Sequence, residues 1–524
     1  MTKTPMKSLL QFIPLIFICA LSSAQPIYVG QPIYYELART LQVAGKLESK
    51  TSFTINNSAS LPDMREVDNL VGSPSTFQFK ILPVTLQTKF NSHHPYGWND
   101  AGMIMAKGLQ TQISGGIYAK AGPLTIQLRP EYVWAANPSF DTTPGYGSVT
   151  QKNYNRRFLG QSSIRLNAGP LSIGISTENL WWGPGQFSSL LMSNNIPGFL
   201  HLTFNTRRPI KTPIGAFEWQ LIAAKLSEDT TLATESGYLK PTRPKNDWRY
   251  LSAMVLNYQP AFLPHTYLGI IGSIQMYNND RLKNTGFVKK YLPIFAPASP
   301  TQNAQADDIP ADGQFSFFVR QILPKHKFEF YVEYGYNDYK QNLRDLWVNP
   351  SHAAAWIIGM KKIVALKPSS RTAKGSERPY LDLSFEATQL AQTTSYILRN
   401  AGNWYTHGAI TQGLTNEGQI MGAGSGLGNN VQTLQIKKIE GLQQIGLKLQ
   451  RIQQDPKGIT GSTANLGLRD YQWIDISVGL LGNKRWNNIM AGGEIQFVSS
   501  KNYGWNNANA FNLYATAYVS YFFK

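Results

Sequence analysis

Along most of the chain, apolar and polar side chains alternate with a period of two. Leu124, Ile126, Leu128, Tyr132 and Trp134 fall on one face of an extended segment, with Thr125, Gln127, Arg129 and Glu131 between them on the other. The C-terminal stretch repeats the pattern. Phe511, Leu513, Ala515, Ala517, Val519, Tyr521 and Phe523 oppose Asn512, Thr516, Tyr518 and Ser520. A soluble sandwich strand alternates as well. Length and connections separate the two cases, because tilted segments of about ten residues span a bilayer when they close into a barrel.

The connections fall into two classes. Ala121-Gly122-Pro123-Leu124 and Ala168-Gly169-Pro170-Leu171 are one tight turn used twice, and 261–265, 324–327 and 483–486 are similarly short. Between them lie long polar stretches at 135–156, 227–248, 277–313, 393–430 and 455–470. Short turns on one side and long loops on the other are the pattern of an outer-membrane barrel, with the short turns periplasmic. The alternation predicts strands over 77–91, 103–120, 123–134, 157–168, 171–179, 198–206, 214–225, 248–259, 265–276, 313–323, 326–337, 354–364, 379–390, 430–440, 442–454, 470–480, 487–499 and 509–523. The expected fold is therefore an all-β, transmembrane antiparallel β-barrel of about 18 strands. An even count returns both termini to the periplasm. Tyr521-Phe522-Phe523 before Lys524 suits a last strand read by the barrel-assembly machinery.

Three segments follow. Residues 1–24 read as a signal peptide: Lys3 and Lys7, a short apolar run from Leu9 to Leu21, then Ser22-Ser23-Ala24. Residues 25–76 form a periplasmic N-terminal helical segment, with a helix over Gln31–Lys46 that places Ile33, Leu37, Leu41 and Ala44 on one face. It either plugs the barrel or lies on its surface, and 48–76 reads as irregular. Residues 77–524 form the barrel. The one cysteine, Cys19, lies in the leader, so the exported chain has no disulfide, thiol nucleophile or cysteine metal site.

Charge changes the picture little. The formal net charge of +18 falls to +16 without Lys3 and Lys7. Much of the excess, including Arg207, Arg208, Lys211, Lys325, Lys327, Lys484 and Arg485, falls in the short turns. Nucleic acid binding has no support beyond the charge.

The candidate chemistry is aromatic. Trp181 and Trp182 precede Gly183, Pro184 and Gly185, a turn that ends any strand and lets backbones approach closely. The pair either packs as an anchor or offers rings to a flat, weakly polar partner such as a sugar face. Tyr96, Trp98, Asn99 and Asp100 lie in the first long loop, and Trp404, Tyr405 and His407 in the seventh. With Asn194 and Asn195 they supply rings for stacking and amides or carboxylates for hydroxyl groups. No metalloprotease, nucleophile-elbow or Walker motif is present. Gly422–Gly428 lacks the Lys-Ser/Thr of a phosphate loop and reads as flexible turn chemistry in an outer loop. His93 and His94, adjacent on an extended chain, should point apart and make poor shared ligands. No catalytic residue, metal or cofactor is assigned. A hydrolase assembled from distant strands remains a third alternative, recognisable only by geometry.

These residues also carry a resemblance. Trp181-Trp182-Gly183-Pro184-Gly185, followed by Ser189 to Asn195, is similar to the signature of the Wzi capsule-assembly family of outer-membrane proteins. His94 to Asp100 and Lys107 to Gln110 resemble the form carried by Bacteroidetes-type members. The resemblance implies an eighteen-stranded barrel with periplasmic helical elements. It also implies a lectin-like, non-enzymatic role in holding capsular or other surface polysaccharide. Outer-membrane lipid and lipopolysaccharide would surround such a barrel. A porin or substrate-selective channel is the alternative.

Overall fold

The period-two pattern closes on itself. The computed structural model describes residues 32–47, 51–56, 77–140, 151–229, 247–296, 310–337, 347–367, 379–391, 404–410, 412–455 and 471–523. The expected leader and cleavage site, most of 48–76 and Lys524 lie outside the described residues. The wall runs β1 (Phe77–Asn91), β2 (Gly108–Ala121), β3 (Leu124–Leu128 continued by Glu131–Ala135), β4 (Tyr154–Phe158 continued by Ser163–Ala168) and β5 (Leu171–Ser176). It continues through β6 (His201–Thr206 and Ile210–Thr212), β7 (Gly215–Leu226), β8 (Arg249–Pro260), β9 (Thr266–Tyr277), β10 (Asp312–Leu323), β11 (Phe328–Asn337) and β12 (Ala354–Ala365). Last come β13 (Tyr380–Gln389), β14 (Asn430–Glu440), β15 (Gln443–Gln453), β16 (Ile474–Trp486), β17 (Ile489–Lys501) and β18 (Ala510–Tyr521). Sequential neighbours pair antiparallel, and β1 pairs with β18 from Val84↔Tyr521 to Asn91↔Tyr514, so no edge is left open. Closure pairs the backbone N–H and C=O groups of neighbouring wall strands around the full circle, as a bilayer requires.

Eighteen strands match the expected number. Three expectations shift. The short turn placed at 483–486 moves to 487–488, because 483–486, with Lys484 and Arg485, still pairs with β17. The turn placed at 207–213 is shorter, because Ile210–Thr212 still pairs with β7. The second strand begins at Gly108 rather than 103, because 101–107 belongs to a loop.

The wall is apolar outside and carries many buried polar and charged groups inside. Ile173, Leu202, Phe317, Leu480 and Phe497 are exposed on the wall. On the opposite register, Glu329, Glu333, Lys361, Asp382 and Asn512 are buried in the lumen. Such an inversion suits a lipid-facing band around a filled interior.

The helix α1 (Pro32–Val43) lies in this lumen at the short-turn end. Ile33, Leu37 and Leu41 pack with Tyr267, Ile322, Ile363, Tyr380, Ile439 and Phe522, all near short turns. The opposite face is buried as well: Arg39, Thr40 and Gln42 are inside. The surface alternative is therefore wrong, and the physical reason is that the wall supplies partners for the polar face. Arg39 Nε donates to Glu329 Oε1 at 2.9 Å, and Arg320 Nη2 reaches Glu329 Oε2 at 2.6 Å. Glu36 pairs with Lys437. Arg320 Nη1 also donates to Ser52 O at 2.6 Å, and Glu218 accepts Ser52 N–H at 2.9 Å. The expectation of an irregular 48–76 is corrected at one point. Ile55–Asn56 pairs with Trp181–Trp182 as a two-stranded ribbon.

Breaking a buried charge pair by removing one partner costs about 3–5 kcal/mol. Glu329→Gln strands two buried arginines, whereas Arg39→Met leaves Glu329 still paired with Arg320. Glu329→Gln should lower the midpoint of the heat-dependent gel shift by more than Arg39→Met. Equal losses would show that the two arginines do not share the carboxylate.

Candidate functional site

The connection between β5 and β6, residues 177–200, turns into the lumen instead of outward. The Gly-Pro-Gly turn explains how. Gly183 has φ 105°, and its N–H donates to Thr54 O at 2.8 Å. A Cβ at Gly183 would lie 2.7 Å from Glu333 Oε2, and one at Gly185 would lie 1.9 Å from Ser188 O. Only glycine permits that approach. Beyond the turn, Gln186 N–H and Phe187 N–H donate to the Glu386 carboxylate at 2.5 and 3.2 Å.

The two tryptophans have different surroundings. Trp182 is fully buried, with Nε1–H donating to Gln220 Oε1 at 2.9 Å. It packs in one core with Leu190, Leu191 and Met192, and with the inward residues of β7 to β12. Trp181 is half-buried, its Nε1–H held by Gly185 O at 3.2 Å, and it borders a cavity.

Two further loops meet this inward loop. From the first, Asn99 N–H donates to Asn195 Oδ1 at 3.3 Å and Asn99 O accepts from Asn194 Nδ2 at 2.9 Å. From the seventh, Ser193 N–H donates to Met421 O at 2.8 Å, and Asn195 Nδ2 donates to Ile420 O at 3.0 Å. Tyr405 is buried; its hydroxyl donates to Leu190 O and accepts Ala423 N–H, each at 2.8 Å, and burial pushes its pKa up. Trp404 donates to Ala353 O at 3.1 Å from within the same core. His407 sits apart, its Nδ1 accepting Ala409 N–H and Ile410 N–H at the tip of a turn. The expectation of a flexible outer loop at 422–428 is corrected: the segment is buried. A Cβ at Gly424 would lie 2.3 Å from Asn195 Oδ1, so its glycine serves close packing rather than freedom.

The lumen is thus divided. Against β7 to β12 it is sealed by the apolar core. Against β14 to β18 and β1 to β3 it leaves a cavity of about 460 Å³, within the usual size of small-ligand sites. Tyr96, Trp98, Asn99, Asp100, Trp181 and Asn194 line it; Trp182, Asn195, Trp404, Tyr405 and His407 do not. The remaining wall is rich in amides: Gln87, Gln112, Gln435, Gln444, Gln450 and Gln496. Asn99 Oδ1, Gln112 Oε1, Gln186 Oε1, Asn194 Oδ1 and Gln444 Nε2 are buried without a protein partner. Most of its charges are neutralised locally, Lys448 by Glu494 at 3.2 Å and Asp100 by Lys89 at 2.6 Å. Glu131 is the exception: it lines the cavity with Oε2 buried and without a protein partner. A site of free amide donors and acceptors, ring surfaces and mostly paired charge can hold a hydroxyl-rich ligand.

A family described as capsule assembly protein Wzi matches residues 85–509. The chain belongs to that family. No curated protein matches it significantly. Among solved structures it is similar to a protein of Escherichia coli, described as Wzi, an outer membrane protein involved in group 1 capsule assembly that is a carbohydrate-binding β-barrel. That likeness covers 95% of this chain and 99% of the other, at 12% identity and a TM-score of 0.60, and shows a shared fold. OprB of Pseudomonas putida aligns over 86% of this chain and 94% of its own at 10% identity, with a TM-score of 0.37.

The glutamines were missed from sequence. Their signal was available: Gln435, Gln444, Gln450 and Gln496 all fall on inward registers, of β14, β15 and β17. The histidine pair is a second correction. A bend after Asn91 brings His93 and His94 together, with ring centroids 5.4 Å apart and Nδ1 atoms 3.2 Å apart. Among the described residues no group of three or more His, Cys, Asp or Glu could hold a metal. His94 packs at 4.8 Å from Tyr503 and 6.2 Å from Trp473. Burial first, then His93 and Lys107, pushes its pKa down from 6.5 to about 3.

A depressed histidine pKa means that the unfolded chain takes up the proton first. His94 therefore contributes stability fully above pH 6.5, and the contribution is lost as the pH falls from there toward 3. Between pH 7 and 5 the loss should be on the order of 1–2 kcal/mol. Unfolding midpoints across that range should flatten in His94→Gln, and an unchanged slope would contradict this assignment.

Proposed function

We propose that this chain is a non-enzymatic, lectin-like protein of the bacterial outer membrane that binds and organises capsular or other surface polysaccharide. Both termini lie in the periplasm in this reading, because the short turns and α1 share one end of the barrel. Residues 25–76 act as the periplasmic plug segment and 77–524 as the barrel. One observation carries the proposal. Six residues from two separate loops, Tyr96, Trp98, Asn99, Asp100, Trp181 and Asn194, border one amide-lined cavity. Family membership adds support, as does the carbohydrate binding described for the E. coli relative.

The channel reading has less support. α1, the ribbon of residues 55–56 and 181–182, and the buried loop at 412–429 all occupy the lumen. An enzymatic reading would need a nucleophile and base brought together, and the cavity wall is dominated by amides and rings instead.

The two tryptophans separate binding from packing. Trp181→Ala should leave the heat-dependent gel shift intact while weakening polymer capture by purified protein. Ring stacking is worth about 1–3 kcal/mol on bases, and its lower end corresponds to roughly fivefold to tenfold in affinity for a sugar. Trp182→Ala removes a buried anchor at a cost of about 3–5 kcal/mol, and should impair assembly itself. Normal capture by assembled Trp181→Ala would remove this ring from the binding site. A porin would instead show steady, sugar-blockable conductance in planar bilayers, where the closed lumen should show none.

A further inference from the structure

Residues 278–296, which follow β9, do not rise away from the barrel. This segment folds outward and down over the wall as two short helices, Asn278–Lys283 and Phe287–Tyr291, and a single turn, Pro293–Phe295. Several observations fix its position. Ile294 Cδ1 lies 2.9 Å from where a Cβ at Gly272 would project, on the register that otherwise faces lipid. Ser252 and Met276, on outward registers of β8 and β9, are buried beneath it. Arg281 clamps it down, with its guanidinium 4.5 Å from the Tyr250 ring and 5.4 Å from the Tyr291 ring. Arg281 Nη1 also donates to Lys290 O at 3.1 Å, and Tyr250 OH donates to Tyr291 O at 2.5 Å.

The outer surface of this flap has an unusual composition. Leu282, Phe287, Val288, Tyr291 and Phe295 are exposed, Phe287 by 68%. Lys289 is exposed and Lys290 half-exposed, while the segment's one carboxylate, Asp280, is buried and paired with Lys283 at 2.8 Å. Apolar side chains of this size rarely gather at an aqueous surface without a partner. Aromatic rings beside lysines suit an acyl–headgroup boundary carrying negative charge. The patch is continuous with the apolar band, since the flap rests on lipid-register positions of β8 and β9.

We propose that residues 278–296 form a lateral foot that binds the phosphate-bearing glycolipid of the outer leaflet. Phe287, Phe295 and Leu282 enter the acyl boundary. Lys289 and Lys290 meet the phosphates above it. The foot lies on the long-loop side and therefore takes the outer leaflet in the orientation proposed above. It is independent of polysaccharide binding, because it stands on the outside of the wall and the cavity on the inside.

The test uses the full chain in neutral-detergent micelles, titrated with fluorescent lipid A and with its dephosphorylated form. Wild type should prefer the phosphorylated form. Lys289→Glu/Lys290→Glu should weaken that binding by about tenfold or more and leave the dephosphorylated form unaffected. Phe287→Ser/Phe295→Ser should weaken both. Lys289→Gln/Lys290→Gln decides the charge question if the glutamate pair loses its heat-dependent gel shift. Equal binding of the two lipids by wild type, or wild-type affinity in the glutamine pair, would overturn the proposal. So would loss of polymer capture in the lysine variants with lipid A binding intact, which would assign the lysines to the polysaccharide.

Discussion

A closed strand wall has no polar debt of its own, but the lumen that it encloses does. In this chain the inward register carries carboxylates at Glu218, Glu329 and Glu386, and each is met by a group from the interior. Glu329 takes Arg39 from α1, Glu218 takes the Ser52 amide, and Glu386 takes two amides after the Gly-Pro-Gly turn. Leaving any of them unpaired in a dry interior would be costly. The wall carboxylates therefore determine where the N-terminal segment and the inward loop lie, and those two elements, joined through Ile55 and Trp182, shape what remains of the lumen.

What remains is asymmetric. One side is filled by apolar side chains around Trp182, Tyr405 and Phe318, where packing holds the inserted loops in place. The other keeps space, and its wall is made of glutamines whose amides are only partly satisfied. The lysines there are paired with carboxylates and Glu131 is left over, so the positive charge of the chain does not define the ligand. The rigid side positions Trp181 and Asn194 against the open side. A buried anchor and an available ring thus come from two consecutive residues of one motif.

The sequence made the wall legible because its side-chain period is two and survives nearly every strand. Leu124 to Trp134 and Phe511 to Tyr521 show the inside–outside assignment directly, and the closing pair β1–β18 follows from it. The helix was legible from Ile33, Leu37 and Leu41, but its location was not, since Arg39 reads as a solvent-facing residue until Glu329 is seen across 290 positions of chain. Loops carried least information. Polar composition suggests an exposed loop at 412–429, yet close contacts at Gly424 bury it, and composition says nothing about contacts so distant in sequence. The same limit explains why Trp404 and Tyr405 resembled a ligand platform and are core, while Gln112 and Gln444 resembled ordinary strand residues and line the cavity.

The central claim is that sugar is held inside the wall, in the cavity beside Trp181. A structure of the protein with a bound oligosaccharide fragment of its capsule tests this most directly. Expected is a sugar ring against Trp181, with hydroxyls on the Asn194, Gln112 or Gln444 amides. A fragment bound only on the outer loops, with the cavity holding solvent alone, would contradict the account.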